Sequence, residues 1–116
     1  MRILIVEDEV RISQLLKMYL VRESYDVNVA DNGDDGLSCV LQENYDLIIL
    51  DVFMPGKDGF TVLEEIRKCK QTPVIMLSAQ SGENERNRGF QLGANEFISK
   101  PFSPSAVLTK VKEILS

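Results

Sequence analysis

The chain contains no histidine and no tryptophan, and only two cysteines in 116 residues. Without histidine, Ser-His-Asp and Cys-His catalytic arrangements are excluded, and so is any imidazole metal ligand. Cys39 and Cys69 alone cannot complete a zinc site of the usual kinds. They fall in different predicted helices and read as free thiols of a reducing compartment. No apolar run approaches the roughly 20 residues that span a bilayer. The N-terminal run Ile3-Leu4-Ile5-Val6 is too short for a signal peptide and no small-residue cleavage site follows it. A cytoplasmic location without a membrane partner is therefore expected. Basic residues are also in deficit, 13 Lys and Arg against 18 Asp and Glu, for a net charge of −5. Phosphate backbones are held by an excess of Lys and Arg, so the chain by itself is not expected to bind nucleic acid. Repeats, low-complexity tracts and internal linkers are absent, and residues 1–116 are expected to form a single domain.

What is present is a regular alternation of short apolar runs and amphipathic segments. Strands are predicted at about residues 3–6, 27–30, 47–50, 74–77 and 96–98. Between them, Val10, Ile12, Leu15, Leu16, Tyr19 and Leu20 fall near helical spacing. A second helix follows Asp31-Asn32-Gly33 and carries Leu37, Val40 and Leu41. A third carries Phe60, Leu63 and Ile66, with Asp58 as its N-cap. A fourth, about residues 82–92, has only Phe90 and Leu92 as strong apolar residues. A fifth opens with Ser103 as N-cap and Pro104 at its first position, and offers Val107, Leu108, Val111 and Leu115. Strict βα alternation predicts an α/β fold: a doubly wound, five-stranded parallel sheet between two helical layers. The first, third and fourth strands are continuously apolar, as strands covered on both faces must be. The second and fifth carry polar residues, which suits edges. The order 2-1-3-4-5 satisfies both conditions and puts the switch point between the first and third strands.

Four of the runs end on residues with phosphoryl chemistry: Glu7-Asp8, Asp51, Ser78 and Lys100. In a parallel sheet they share the edge at which open α/β folds bind ligands. Glu7 and Asp8 read either as a divalent-metal site completed by Asp51 or as an acidic pair favoured by a helix N-terminus. Three carboxylates held close together need a cation to remain ionised, and an all-oxygen set with room for water suits Mg²⁺. Asp51 reads as a nucleophile for a phosphoryl group or as a strand-end turn residue. Ser78 is a hydrogen-bond donor to a phosphoryl oxygen or ordinary loop chemistry. Lys100 is a point-charge clamp or a solvated surface residue.

Taken together, Ile5-Val6-Glu7-Asp8-Glu9, the run from Asp46 through Asp51 to Gly59, Pro73-Val74-Ile75-Met76-Leu77-Ser78-Ala79 and Gly93-Ala94-Asn95-Glu96-Phe97-Ile98-Ser99-Lys100-Pro101-Phe102 resemble the receiver domain of a bacterial two-component response regulator. The resemblance covers the whole chain and extends to the front part of winged-helix DNA-binding regulators. It implies a flavodoxin-like three-layer sandwich. It implies that Asp51 is the phosphoacceptor for a sensor histidine kinase, with Asp8 a direct Mg²⁺ ligand, Glu7 acting on the metal through water, and the Phe53 carbonyl a further ligand. Mn²⁺ would substitute for Mg²⁺. Ser78 and Lys100 would hold the phosphoryl oxygens, a cis Lys100-Pro101 bond would aim the lysine, and Phe97 would turn inward as Ser78 moves toward the phosphate, switching the face formed by the fourth helix, fifth strand and fifth helix. The implied role is that of a phosphoacceptor signalling domain, catalysing only its own phosphoryl transfer and dephosphorylation, with transcription as the expected output. DNA would be reached only through a separate effector domain.

The chain also departs from common forms of that family. Ser78 stands where Thr is frequent, Phe97 where Tyr is common, and Asn95-Glu96 where two Asp are frequent. Lys110 and Lys112 lie in a helix often richer in Arg. The resemblance implies a homodimer through the fourth helix, fifth strand and fifth helix, and Lys is a weaker bidentate partner there than Arg. Three rival readings remain. An aspartyl-nucleophile phosphohydrolase of the haloacid-dehalogenase type wants a second Asp two residues after the first, where Phe53 cannot carry a proton. A flavodoxin-like cofactor binder wants a phosphate cradle after the first strand, where Glu7-Asp8-Glu9 would repel it. A degenerate receiver acting only as an interaction module does not require the full acidic, hydroxyl and lysine set.

Overall fold

The computed structural model describes residues 1–80 and 82–116. Five strands and five helices alternate: β1 (Arg2–Val6), α1 (Val10–Arg22), β2 (Asp26–Ala30), α2 (Gly33–Gln42), β3 (Leu47–Asp51), α3 (Gly59–Arg67), β4 (Val74–Ser78), α4 (Glu83–Gln91), β5 (Glu96–Ser99) and α5 (Pro104–Leu115). All pairings are parallel, and the sheet order is β2-β1-β3-β4-β5.

Side chains alternate across a strand, so the apolar runs serve two layers at once. Ile3, Ile5, Leu47, Ile49, Ile75 and Leu77 face one side, where they meet Leu16 and Leu20 of α1 and Val107 and Val111 of α5. Leu4, Val6, Ile48, Leu50, Val74 and Met76 face the other, where they meet Val40 of α2 and Phe60, Leu63 and Ile66 of α3. Each fully buried aliphatic side chain contributes about 1.5–3 kcal/mol relative to exposure.

Several sequence expectations shift in detail. Asp51 and Ser78 are the last residues of their strands rather than the first residues beyond them. Val10, Leu15 and Leu41 lie on exposed helix faces. Cys69 lies just past α3 instead of within a helix, and both cysteines are free thiols. Asp58 caps α3 as expected, its Oδ1 accepting the Thr61 N–H at 2.8 Å. Ser103 occupies the N-cap position of α5 without capping it, because its hydroxyl is paired with that of Ser105 at 2.7 Å.

Candidate phosphoacceptor site

The register brings the four strand ends together. Val6 pairs with Leu50, so Glu7 stands beside Asp51. Asp51 pairs with Leu77, and Ser78 with Ser99, which sets Lys100 one residue beyond. The ladder continues past the strands through Val52 N–H to the Leu77 carbonyl and Lys100 N–H to the Ser78 carbonyl. Gly59 completes the floor: a Cβ there would lie 2.3 Å from the Asp51 carbonyl oxygen. A larger residue would therefore force α3 away from β3.

Glu7, Asp8 and Asp51 converge so that one carboxylate oxygen from each lies within 4.8 Å of the others. Lys100 Nζ is 2.8 Å from Glu7 Oε1 and 3.1 Å from Asp51 Oδ1, while Glu9 stands at the rim, 4.0 Å away. Glu7 and Asp51 are almost fully buried. Glu7 Oε2 accepts the Glu9 N–H. Glu7 Oε1 has only the ionic approach of the ammonium, without a well-aligned hydrogen bond. Burial and the neighbouring Glu7 carboxylate raise the Asp51 pKa to about 7, against the opposing pull of Lys100. Burial pulls the Lys100 pKa down, but Glu7 and Asp51 outweigh it and the net shift is upward. One ammonium thus faces three carboxylates, leaving net negative charge in a confined volume. An under-satisfied buried carboxylate oxygen within an all-oxygen set fits a hard divalent cation.

Of the residues singled out from sequence, Glu7, Asp8, Asp51 and Lys100 form this cluster. The Lys100-Pro101 peptide bond is cis. Phe53, the second residue after Asp51, leads the following loop with its ring half exposed. Ser78 reaches the same edge with its hydroxyl turned elsewhere: Oγ donates to the Gln80 carbonyl at 2.7 Å and accepts the Gln80 N–H at 3.0 Å. Phe97 is buried, 2% exposed, while the Ser78 hydroxyl is closed on Gln80. Burying a phenylalanine strands no hydroxyl, which removes the main polar penalty for that position. Asn95 is engaged within the chain, its Oδ1 accepting the Val74 N–H at 2.9 Å and an Arg67 N–H at 3.3 Å. Sequence reasoning missed Gly59, Gln80, Arg86 and Gly89. The glycine inside the polar fourth helix was the visible signal for Gly89. Backbone partners such as Gln80 leave no signal.

Residues 3–112 match the family model described as the response regulator receiver domain. The chain is 50% identical over 114 residues to the transcriptional regulatory protein ResD of Bacillus subtilis, covering 98% of this chain and 48% of that protein. It is 48% identical over 113 residues to the transcriptional regulatory protein SrrA of Staphylococcus aureus, covering 97% and 47%. The chain therefore spans about half the length of these curated relatives. Among solved structures, a Francisella response regulator receiver domain superposes with a TM-score of 0.94 at 31% identity, covering 98% of this chain and 95% of that one. The response regulator TrrA of Thermotoga maritima, solved with Mg²⁺ and BeF, gives a TM-score of 0.88 at 40% identity, covering 98% of both chains.

Proposed function

The chain belongs to the response regulator receiver domain family and is the receiver domain of a two-component response regulator, and we propose that it accepts a phosphoryl group on Asp51 from a sensor histidine kinase. The observation that carries this reading is the buried Asp51 carboxylate set between Lys100 at 3.1 Å and the carboxylates of Glu7 and Asp8. Residues 1–116 act as one receiver unit in this reading.

In the transfer, an Asp51 carboxylate oxygen attacks phosphorus. The new O–P bond forms as the donor's P–N bond breaks, and the bonding pair leaves with the donor imidazole. Lys100, already 3.1 Å from Asp51, meets the charge of the arriving phosphoryl oxygens. Ser78 donates to a phosphoryl oxygen once its hydroxyl leaves Gln80. Asp8, Asp51 and the Phe53 carbonyl would hold Mg²⁺ directly and Glu7 through water, with Mn²⁺ able to take its place, and the ion would supply charge neutralisation for the transferring group. Later attack by water on the acyl phosphate would return Asp51 to its carboxylate, so the only catalysis is on the domain's own phosphoryl group.

Kinase docking is supported by the face beside the site. Val10, Leu15, Met18 and Val21 of α1 are exposed. A groove of about 380 Å³, lined by Ile12, Leu15, Ala79, Pro101 and Phe102, runs up to Lys100. Transcriptional output fits the two curated relatives, with DNA contacted by a part of the protein outside this chain. A phosphohistidine donor and that output fit a reaction in the cytoplasm. Among the described residues, no helix is long and apolar enough to cross a membrane. A homodimer through α4, β5 and α5 draws less support, since Asn95 is engaged internally and Lys110 pairs within its own chain with Glu96 at 3.6 Å. Incubation with acetyl phosphate and Mg²⁺ should add the mass of one phosphoryl group to the wild type and nothing to Asp51→Asn. Equal labelling of both would overturn the assignment.

A further inference from the structure

The expected switch couples two events: Ser78 moves toward the phosphoryl group, and Phe97 then turns inward. In this structure the two positions are found apart. The Phe97 ring is buried while the Ser78 hydroxyl remains closed on Gln80 by two hydrogen bonds of 2.7 and 3.0 Å.

Two residues of α4 account for the ring's position. Gly89 is the helix's only buried residue. A Cβ at Gly89 would lie 2.9 Å from Phe97 Cδ2 and 3.4 Å from Met76 Sδ. The missing side chain is thus a notch into which the ring fits, and the helix backbone closes over it. Arg86 fastens the arrangement from the next turn. Its Nη1 donates to the Phe97 carbonyl at 3.0 Å, and its guanidinium carbon lies 5.6 Å from the centre of the Phe97 ring and 5.9 Å from that of Phe90. The cation therefore holds strand β5 through a backbone oxygen and covers the same ring from outside. The phenylalanine has no hydroxyl that would draw it toward solvent.

We propose that Gly89 and Arg86 are positioning residues that preset Phe97 inward, so that the phosphoryl signal passes through the Ser78–Gln80 turn instead of through rotation of the ring. This deepens the phosphoacceptor reading and rests on it for the nature of the signal. The ring is one half of a two-state device already fixed by packing, and interiors at native density favour such discrete arrangements. A ligand at Asp51 then has one element left to move. It must exchange two Ser78–Gln80 hydrogen bonds for a charge-assisted one, and residue 80 directly precedes the segment leading into α4.

Fluorine NMR on protein labelled with 4-fluorophenylalanine tests this, with a soluble paramagnetic agent reporting exposure. The five phenylalanines include internal standards: Phe60 is buried, while Phe53 and Phe90 are 49% and 41% exposed. Loss of a signal in Phe97→Leu assigns its resonance. In metal-free, unmodified protein, Phe97 should be as protected as Phe60, and Mg²⁺ with beryllofluoride should leave that protection unchanged. Gly89→Ala should bring Phe97 toward the broadening of Phe90. Broadening of Phe97 in the unmodified wild type, relieved only by beryllofluoride, would overturn the proposal. So would a folded Gly89→Ala protein with Phe97 still protected. If that variant does not fold, Arg86→Ala takes its place, with partial loss of protection expected and unchanged protection counting against the clamp. Amide shifts flanking Asp51 report beryllofluoride binding separately. Their absence would defeat the phosphoacceptor reading, while the Phe97 measurement in unmodified protein would still decide whether the ring is preset.

Discussion

Asp51→Asn should make the metal-free protein more stable at pH 8 and leave it almost unchanged near pH 4. Asp51 lies beside Glu7 in a buried site that holds a single ammonium, and its pKa rises from 3.8 to about 7. A carboxyl group with a raised folded-state pKa favours the folded state fully below its unfolded value. That contribution is lost as the pH climbs through the folded value. Above pH 7 the folded protein must hold an ionised Asp51 at a cost, whereas asparagine never ionises. A shift of this size corresponds at most to a cost on the order of 4 kcal/mol. Asparagine forgoes the Lys100 ion pair at 3.1 Å, which offsets part of that cost. The expected gain is therefore about 1–3 kcal/mol at pH 8. At roughly 4 °C per kcal/mol for a domain of this size, the midpoint should rise by about 4–12 °C. Thermal unfolding in a chelator, followed from pH 4 to 8.5 for both proteins, measures it. A variant less stable than wild type at pH 8, or a difference that does not change with pH, would refute the electrostatic account of the site.

Three further predictions concern neighbouring parts of the molecule. Asp8→Ala should weaken Mg²⁺ binding far more than Glu9→Ala, because Asp8 belongs to the carboxylate cluster while Glu9 stands 4.0 Å from Lys100 at the rim; metal titration decides, and equal losses would mean a diffuse acidic patch. Asp58→Ala should cost about 1 kcal/mol by removing the α3 cap, whereas Ser103→Ala should stay within about 0.5 kcal/mol because that hydroxyl pairs with Ser105; denaturant midpoints compare them directly. Ile49→Ala, at a fully buried position of β3, should cost about 2–5 kcal/mol in the same assay.

The fold was legible because burial on two faces leaves an unmistakable mark. Ile3 to Val6, Leu47 to Leu50 and Val74 to Leu77 carry no polar interruption, so those three strands had to be central. The polar interruptions in β2 and β5 put them at the edges, and right-handed crossovers then left one natural order. The cluster of Glu7, Asp8, Asp51 and Lys100 followed from that order, since each residue ends its strand or lies within two residues of its end. Helix faces were harder to read. Val10 and Leu15 fit helical spacing as well as Leu16 and Leu20 do, yet only the latter pair meets the sheet. Spacing defines a stripe, and the neighbouring elements decide which edge of the stripe is covered. Ser103 illustrates the same limit at the scale of one hydroxyl: its position suits a cap, but a nearer hydroxyl claims it.

The fourth helix is attached in a way that a count of apolar side chains does not register. A polar segment with two glycines reads as weakly held, because attachment is usually counted in apolar side chains. Here Phe90 is 41% exposed, and the contact is made by Gly89, which brings no side chain at all. The apolar partner comes from β5 in the form of Phe97, so the helix is fastened by receiving a ring into its backbone. Arg86 adds a hydrogen bond to the Phe97 carbonyl and lies over the ring. A glycine in a helix interior costs about 0.5–1 kcal/mol relative to alanine, and that cost is offset only where the missing Cβ is occupied by another residue. The sequence signal for such a joint is therefore a pairing: a glycine in an otherwise polar helix and a lone aromatic on the next strand. Residues 89 and 97 form that pair in this chain, and neither one, read alone, distinguishes a mobile helix from one latched onto a buried ring.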